Sequence, residues 1–314
     1  MNIKTELARI VAVDPLTNPV DGQVVWSPWK SIWLLTHSLV AVVGGVLTFS
    51  FSVVMVFAVS TAITLCFGHS LGMHRRLIHN SYQCPIWLEY LFVHLGVLVG
   101  LAGPIGIVRV HDTRDWAQRQ PECHPYLRHG AGLFRDAWWQ LHCDLKLKHE
   151  PTFVPEVRLA DDHVFKFMEH TWMLQQLPLA VLLFVVGGLP WVIWGISCRV
   201  TVSVMGHWIV GYFAHNHGEL DNEVTGAAVQ GHNVKWFSYV TMGESWHNNH
   251  HAYPGSAILG VYKNQCDPGW EVLKALRKMG LIWGVVYPSD LPARKNLRPA
   301  NAREFVLPAE RDKR

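Results

Sequence analysis

Three histidines lie within five residues of each other in the last third of the chain, at His247, His250 and His251. On a helix, residues three and four apart share one face, so these imidazoles converge from one side. Neutral imidazole is a strong ligand for iron, zinc and copper. His250 and His251 are adjacent and diverge slightly, so this one segment could serve two neighbouring ions. The pattern therefore predicts a metal site.

A second pair of histidines, His74 and His79, lies far upstream in the segment His74-Arg75-Arg76-Leu77-Ile78-His79. Apolar segments of membrane length separate it from the first cluster. Both clusters are therefore predicted at the ends of membrane helices. Metal-binding histidines in that position are typical of a narrow group of enzymes.

The composition supports a membrane protein. The chain has 314 residues, of which 50% are hydrophobic and only 16% charged, whereas soluble domains carry about 25% charge. Its fifteen tryptophans are expected for interfacial aromatic belts. The net charge of +3 is too small to argue for nucleic acid and fits a face that rests on an anionic leaflet.

The cysteines and the N-terminal residues exclude other classes of protein. The six cysteines are scattered and form no CxxC pair, which argues against a disulfide framework or a zinc ribbon and for reduced thiols. Met1 to Asp21 contain no apolar stretch, so we expect no signal peptide there.

Two long apolar blocks predict the membrane fold. Trp29–Gly68 is long enough for two crossings, with a turn near Thr48–Ser52, and Trp172–Ala214 reads as another pair broken at Gly187–Pro190. Lys and Arg are absent from both hairpin turns and are concentrated at the other ends of the helices. The positive-inside rule therefore predicts that both termini and the histidine clusters face the cytoplasm. We therefore predict an all-α integral membrane fold with two transmembrane helical hairpins, hence four crossings, and a cytoplasmic histidine-rich cap.

The remaining segments fit around these hairpins. Ile86–Val110 is apolar but interrupted by glycine and proline. As a fifth crossing it would put the later histidines on the far side of the membrane from His74 and His79, so an interfacial helix is favoured. An amphipathic helix is predicted after Asp267. We divide the chain into an N-terminal cytoplasmic segment (1–28), a membrane unit (29–287) and a C-terminal tail (288–314).

The chain resembles the membrane fatty acid desaturases of the stearoyl-CoA Δ9 (acyl-CoA) type, in a bacterial form, over roughly Ser31 to Tyr287. Gly72–His79 resembles the family's HRLxxH box, and Met242–Pro254 resembles its GExxHNxHHxxP box. Arg199, Trp208 and His215 resemble the fourth crossing with its extra histidine ligand. Three matches in the correct order are specific, whereas any one alone would be weak.

The second histidine box diverges from the family's HxxHH. His111 is present, but Arg114 and Asp115 occupy the two following histidine positions. Arginine stays protonated and cannot ligate a cation, whereas a carboxylate suits iron well. An asparagine that reaches the metal through water in the animal enzymes corresponds here to Gly211.

The resemblance implies two iron ions and a ligand set drawn from seven histidines. Asp115, His142 or His207 could replace the missing box histidines; alternatively, the metals are held differently and the chemistry differs too. His124 and His129 resemble a family segment that supports the ligands, and Arg199, Trp208 and Asn248 are predicted to have structural or supporting roles. The predicted histidine ligands are His74, His79, His111, His215, His247, His250 and His251.

The chemistry follows from the substrate that the resemblance implies. An unactivated methylene has no acidic proton, so general acid–base catalysis cannot attack it, and a metal–oxygen oxidant is needed. We expect diiron- and O2-dependent desaturation of an acyl-CoA or acyl-lipid in lipid metabolism. A membrane hydroxylase or oxidative decarboxylase is the alternative, and a non-redox, histidine-rich metal-binding protein is a third possibility.

Partners and location complete the expectation. Arg109 and Arg114 are candidates to contact the substrate head group. The chain contains no HPGG segment, no ferredoxin-type cysteine pattern and no GxGxxG before a strand–helix unit. Electrons are therefore expected from an external ferredoxin, rubredoxin or cytochrome b5-like donor. The expected location is the bacterial inner membrane, within the lipid bilayer.

Overall fold

The computed structural model describes residues 8–301 and 303 and is mostly helical. Wide, π-type turns continue two of the helices, at Thr64–Ile78 and Ile193–Cys198. The α-helices are α1 (Pro28–Leu47), α2 (Phe51–Ile63), α3 (Ile86–Leu98), α4 (Pro104–Gln118), α5 (Leu133–His142), α6 (Val157–Ala160), α7 (His163–Thr171), α8 (Gln176–Val192), α9 (Arg199–Asn216), α10 (His247–Ala252) and α11 (Pro268–Lys278).

Three of the described helices are long and apolar enough to cross a membrane: Pro28–Leu47, Phe51–Ile78 and Gln176–Asn216. Their apolar side chains are largely unburied within the protein, as expected for surfaces that face lipid. The predicted turn near Thr48–Ser52 is present, because α1 ends at Leu47 and α2 begins at Phe51. The chain thus has the helices of an integral membrane protein.

The longest of these helices is broken at the predicted glycine–proline segment. Gly188 has φ +70°, outside the helical region. Leu183 and Gly195 are twelve residues apart, and in a straight helix they would be separated by about 18 Å. A Cβ on Gly195 would nevertheless lie 2.5 Å from the side chain of Leu183. The two halves of Gln176–Asn216 therefore pack against each other.

The predicted interfacial segment Ile86–Val110 falls in two helices, α3 and α4. α3 has only 13 residues, fewer than the roughly 20 that a crossing needs. It packs closely on the preceding helix because Gly68 and Gly72 have no side chain: a Cβ at either would lie within 2.6 Å of the α3 backbone.

The prediction of an all-α fold was incomplete, since three two-stranded antiparallel sheets lie among the helices. Their strands come from segments outside the apolar blocks. They have only two to five residues, which is too few for the alternation of a strand to be recognised in the sequence. β1 (Ile10–Val11) pairs with β4 (Thr152–Phe153), β2 (Gly22–Trp26) with β3 (Cys143–Leu147), and β5 (Asn222–Val224) with β6 (Leu297–Pro299).

These sheets tie the ends of the chain to its middle. β1 and β2 belong to the predicted N-terminal segment, and β6 belongs to the predicted tail. The parts of those two segments at 1–7, 302 and 304–314 lie outside the described residues. α11 matches the predicted amphipathic helix, and the Asp267 side chain caps it by accepting a hydrogen bond from Trp270 N.

Candidate metal centre

Four histidines converge where the Thr64–Ile78 segment, α4 and α10 meet. One ring nitrogen from each lies within 4.8 Å of the corresponding nitrogens of the others. We call this cluster the first histidine group: His74, His79, His111 and His250.

The π-type winding explains why His74 and His79 meet although they are five residues apart. In an α-helix, residues five apart point in different directions, whereas π-type hydrogen bonds run between residues five apart and bring them together. The His79 N–H donates such a bond to the His74 carbonyl oxygen at 3.1 Å, and the ring centroids are 4.8 Å apart.

Carboxylates hold two rings of the first histidine group from behind. Glu244 Oε2 lies 2.5 Å from His74 Nδ1, and Asp112 Oδ1 lies 3.1 Å from His111 Nδ1. Arg9 in turn donates a hydrogen bond to Asp112 at 2.9 Å. A carboxylate on Nδ1 fixes the ring orientation and leaves Nε2 for a metal.

Three more histidines form the second histidine group: His215, His247 and His251. His247 Nε2 lies 3.1 Å from His215 Nε2 and 3.0 Å from His251 Nε2. Two nitrogens that bind one ion at right angles, each about 2.1 Å from it, would be about 3.0 Å apart. His215 Nδ1 lies 2.7 Å from the Gly211 carbonyl oxygen, so its Nε2 is the nitrogen left for a metal.

The donor atoms of both groups fit metal ions. Among the described residues, the buried His79 Nε2 and His250 Nδ1 have no hydrogen-bond partner. Burial and neighbouring histidines hold the pKa of His247 and His250 well below the ordinary value, and burial lowers the pKa of His251 to about 4. These imidazoles are therefore neutral at pH 7, the form that ligates metals.

At His111 and Glu244, neighbours of opposite charge outweigh the effect of burial on the pKa. Burial alone would lower the pKa of His111, but Asp115 and Asp112 raise it. Burial alone would raise the pKa of Glu244, but His74 and Arg75 lower it to about 2, so this carboxylate is ionised behind His74.

Asp115 lies beside both groups, one helical turn after His111. Burial would raise its pKa, but the nearby His111, Arg119 and His251 lower it, which keeps the carboxylate charged. Arg119 donates a hydrogen bond to Asp115 Oδ2 at 3.1 Å. The Asp115 carboxylate is thus a charged oxygen donor that interacts with one histidine of each group, His111 and His251.

Arg114, the other divergent residue of the box, turns into the protein. It donates to His129 Nε2 at 2.6 Å and to Gln140 Oε1 at 2.8 Å. His129 stacks on His215, with ring centroids 5.2 Å apart and planes 16° apart. The arginine therefore supports a ligand candidate through His129.

The remaining candidate ligands lie outside both groups. His142 Nδ1 is 3.0 Å from Ser31 Oγ, and its ring stacks on Trp138. The ring of His207 packs against that of His69, with centroids 5.2 Å apart. These two predicted replacements have other neighbours, whereas Asp115 lies next to the site.

The predicted supporting and head-group residues lie at different distances from the groups. Arg199 is fully buried and donates to Gln176 Oε1 at 2.6 Å and to the Leu98 carbonyl oxygen, so it joins α3, α8 and α9. Trp208 donates to Asp136 at 2.9 Å, and that carboxylate also holds His129. Arg109 is exposed, with its guanidinium over the ring of Phe153.

Asn248 anchors the helix that carries three of the histidines. Its side-chain oxygen accepts from the N–H groups of Asp221 and Asn222, and its nitrogen donates to the carbonyl oxygens of Asn222 and Gly231. All four hydrogen-bonding positions of this buried amide are filled. α10 has only six residues, so these bonds fix the position of the helix.

Sequence reasoning missed the residues that support the ligands. Glu244 lies in the last histidine box, Met242–Pro254, and Asp112 directly follows His111. Carboxylates close to predicted ligands were therefore the sequence signal for these supporting residues. Gln118, which lies 3.1 Å from His215 Nε2, follows His111 by seven residues and therefore shares its helix face.

The sequence is similar to those of known proteins. The fatty acid desaturase family matches residues 49–280. The chain is 32% identical to a sn-1 stearoyl-lipid 9-desaturase of Synechocystis sp., over 73% of this chain and 70% of the relative. It is 28% identical to an acyl-CoA 5-desaturase of Anemone leveillei, over 88% of each chain. It is 30% identical to a chloroplastic palmitoyl-monogalactosyldiacylglycerol delta-7 desaturase of Arabidopsis thaliana, over 90% of this chain and 76% of the relative.

Proposed function

The chain belongs to the fatty acid desaturase family, and we propose that it introduces a double bond into a fatty acyl chain in a membrane, with O2 as the oxidant. The similar proteins act on acyl-lipids and on acyl-CoA, so the shared chemistry is an alkyl chain on an anionic or polar head group. The observation that carries the proposal is the pair of adjacent histidine groups beside long apolar helices.

Each histidine group is proposed to hold one iron ion. The first supplies His74, His79, His111 and His250, and the second supplies His215, His247 and His251. Asp115, whose charge interacts with His111 and His251, is proposed as a further oxygen ligand. When bound, two ferrous ions supply the oxygen chemistry that removes hydrogen from unactivated carbons. His142 and His207 are not included, because neither belongs to the two groups of converging donor atoms.

The protein's own groups keep those ligands in place. Glu244 and Asp112 hold the His74 and His111 rings by Nδ1, and the Arg114–His129 contact supports the His215 ring. The glycine-mediated packing of Phe51–Ile78 on α3 holds the helix that carries His74 against its neighbour. An alkyl substrate can then approach through apolar surroundings.

We propose four crossings, with both termini and the histidine groups on the cytoplasmic side of a bacterial inner membrane. The packing of Leu183 on Gly195 supports a second hairpin, because it folds Gln176–Asn216 back on itself at Gly188. The basic residues Lys30, Arg75 and Arg76 lie at the same helix ends as the histidines, as the positive-inside rule requires. Residues 29–287 form the membrane unit, on which the two terminal segments pack through β-strands.

A cavity of about 640 Å3 leads to the site and is proposed to admit the polar part of the substrate or the surface of the electron donor. Its lining includes His79, Asp115, Trp116, Arg119 and Tyr253.

Arg109 remains the candidate for the substrate head group, since it is exposed. Arg114 is engaged with His129 and Gln140, so we assign it a supporting role instead. The electron donor is proposed to be an external ferredoxin, rubredoxin or cytochrome b5-like protein.

Lipid profiling of a host that expresses the chain tests the proposal directly. The wild-type chain should create a new double bond at one position, whereas His247→Ala, expressed to the same level, should not. Separate analysis of the acyl-CoA and lipid pools identifies which head group carries the product first. Hydroxylated or shortened chains would contradict desaturation and select the hydroxylase or decarboxylase alternative. Unchanged lipids with each class of donor would contradict all three.

A further inference from the structure

The two histidine groups differ in the number of imidazoles that they contain. The first has four and the second has three. Helix α4 passes both groups and presents His111, Asp115 and Gln118, spaced four and three residues apart, on one face. His111 belongs to the first group, and Gln118 reaches the second.

Gln118 is only 1% exposed, and its side-chain nitrogen is fixed in place. Nε2 donates to the Leu127 carbonyl oxygen at 2.7 Å, and the same atom lies 3.1 Å from His215 Nε2. The Leu127 bond identifies which end of the amide is the nitrogen, because two oxygens at that distance would repel.

The amide oxygen of Gln118 has no visible function in the protein alone. It is buried, and no described residue donates a hydrogen bond to it. A buried carbonyl-type oxygen without a donor is costly, so such atoms in native proteins normally meet a water or a ligand. This oxygen belongs to an amide in direct contact with a metal-ligand candidate, and a metal-bound water is a strong hydrogen-bond donor.

We propose that Gln118 is a further residue of the second histidine group, and that its amide oxygen accepts a hydrogen bond from a water bound to the metal there. This inference rests on the proposed function, because it assumes that His215, His247 and His251 hold an ion. Gln118 is a positioning residue: the Leu127 carbonyl orients its amide, and the amide then retains the water at the metal. The second group thus gains an oxygen contact that its three imidazoles do not provide.

Two substitutions test the roles of the amide oxygen and the amide nitrogen of Gln118 separately. Gln118→Leu removes both atoms, whereas Gln118→Glu keeps an oxygen but loses the N–H that bonds Leu127. Gln120→Leu is the matched control, since Gln120 follows α4 directly and, in the described contacts, its amide donates only to the Trp116 carbonyl oxygen.

The readout is iron retained per chain after dialysis against a chelator, together with the 57Fe Mössbauer spectrum of the purified protein. Gln118→Leu should weaken retention of one iron by about 10- to 100-fold, the usual effect of an outer contact to a metal ligand, and should change one of two spectral components. Gln118→Glu keeps an oxygen acceptor but loses the bond to Leu127, so it should lose less iron than Gln118→Leu. Gln120→Leu should retain both irons. Thermal unfolding of each variant verifies that it is folded; if Gln118→Leu does not fold, Gln118→Met replaces it.

Two results would overturn the inference. Gln118→Leu with both irons and an unchanged spectrum would show that the oxygen contacts no metal-bound water. Equal iron loss in Gln118→Glu and Gln118→Leu would show that the bond to Leu127 is what matters. A wild-type protein with no iron in the second group would instead contradict the proposed function, so the two failures are distinguishable.

Discussion

The two histidine groups are built on different principles. In the first, four imidazoles converge and carboxylates bond directly to two of the rings, through Glu244 and Asp112. In the second, three imidazoles converge, the His215 ring stacks on His129, and no carboxylate is seen on a ring nitrogen among the described contacts. His111, from the divergent second box, belongs to the first group, and the last box, Met242–Pro254, contributes histidines to both groups. The difference indicates that the positions of the histidines in the two groups are fixed by different kinds of contact.

Removing one ligand from each group gives the largest expected effect. His79→Ala and His247→Ala should each reduce double-bond formation by more than about 100-fold, since even outer contacts to ligands contribute 10- to 100-fold. Each variant should also lose one iron and keep the other. The exposed His163→Ala is the control. Loss of both irons from either variant would mean that the groups do not bind independently.

Glu244→Gln tests the carboxylate support of the first histidine group. The substitution keeps the size of the side chain but removes the charge that lies 2.5 Å from His74 Nδ1. Iron affinity in the first group should fall by about 10- to 100-fold, measured by competition with a chelator. The exposed Glu271→Gln should have no effect. If the weakened iron belongs to the second group, the assignment of Glu244 is wrong.

His129→Phe tests the weaker support of the second group. Phenylalanine keeps a ring against His215 but loses the contacts to Arg114 and Asp136. We expect a loss of iron affinity of no more than about 10-fold, because His129 does not bond to a ligand nitrogen. The component assigned to the second group should be the one that changes in the Mössbauer spectrum. If His129→Phe lowered iron affinity more than Glu244→Gln does, His129 would be the stronger support, contrary to our expectation.

His142→Ala should have the smallest effect. Its ring contacts Ser31 and Trp138 rather than either group. Iron content should therefore stay at the wild-type value, and the free energy of unfolding should fall by about 1 kcal/mol for the lost hydrogen bond. Chelator competition and thermal unfolding measure the two quantities. An iron loss would return His142 to the list of metal ligands.

The sequence contained enough information for the membrane helices and for the histidines of the two groups. Apolar length predicted the helices Pro28–Leu47 and Phe51–Ile78, and turn residues predicted the break at Gly187–Pro190. All seven predicted histidine ligands lie in the two groups. Helical spacing indicated His247, His250 and His251, and the family resemblance supplied the other four.

The supporting contacts could not be predicted because they join residues that are distant in sequence. Glu244 meets His74 across 170 residues, and His215 meets Gln118 across 97. The short strands escaped prediction for the same reason, since β2 pairs with β3 from the far side of the apolar block. The π-type winding that brings His74 and His79 together has no periodicity signal of its own.

The iron content and 57Fe Mössbauer spectrum of the purified wild-type protein test the central claim most directly. Two groups that each hold one ion in different surroundings predict two irons per chain and two spectral components of equal area. The His247→Ala variant should lose one component alone. One iron per chain with a single component, or zinc in place of iron, would contradict the account.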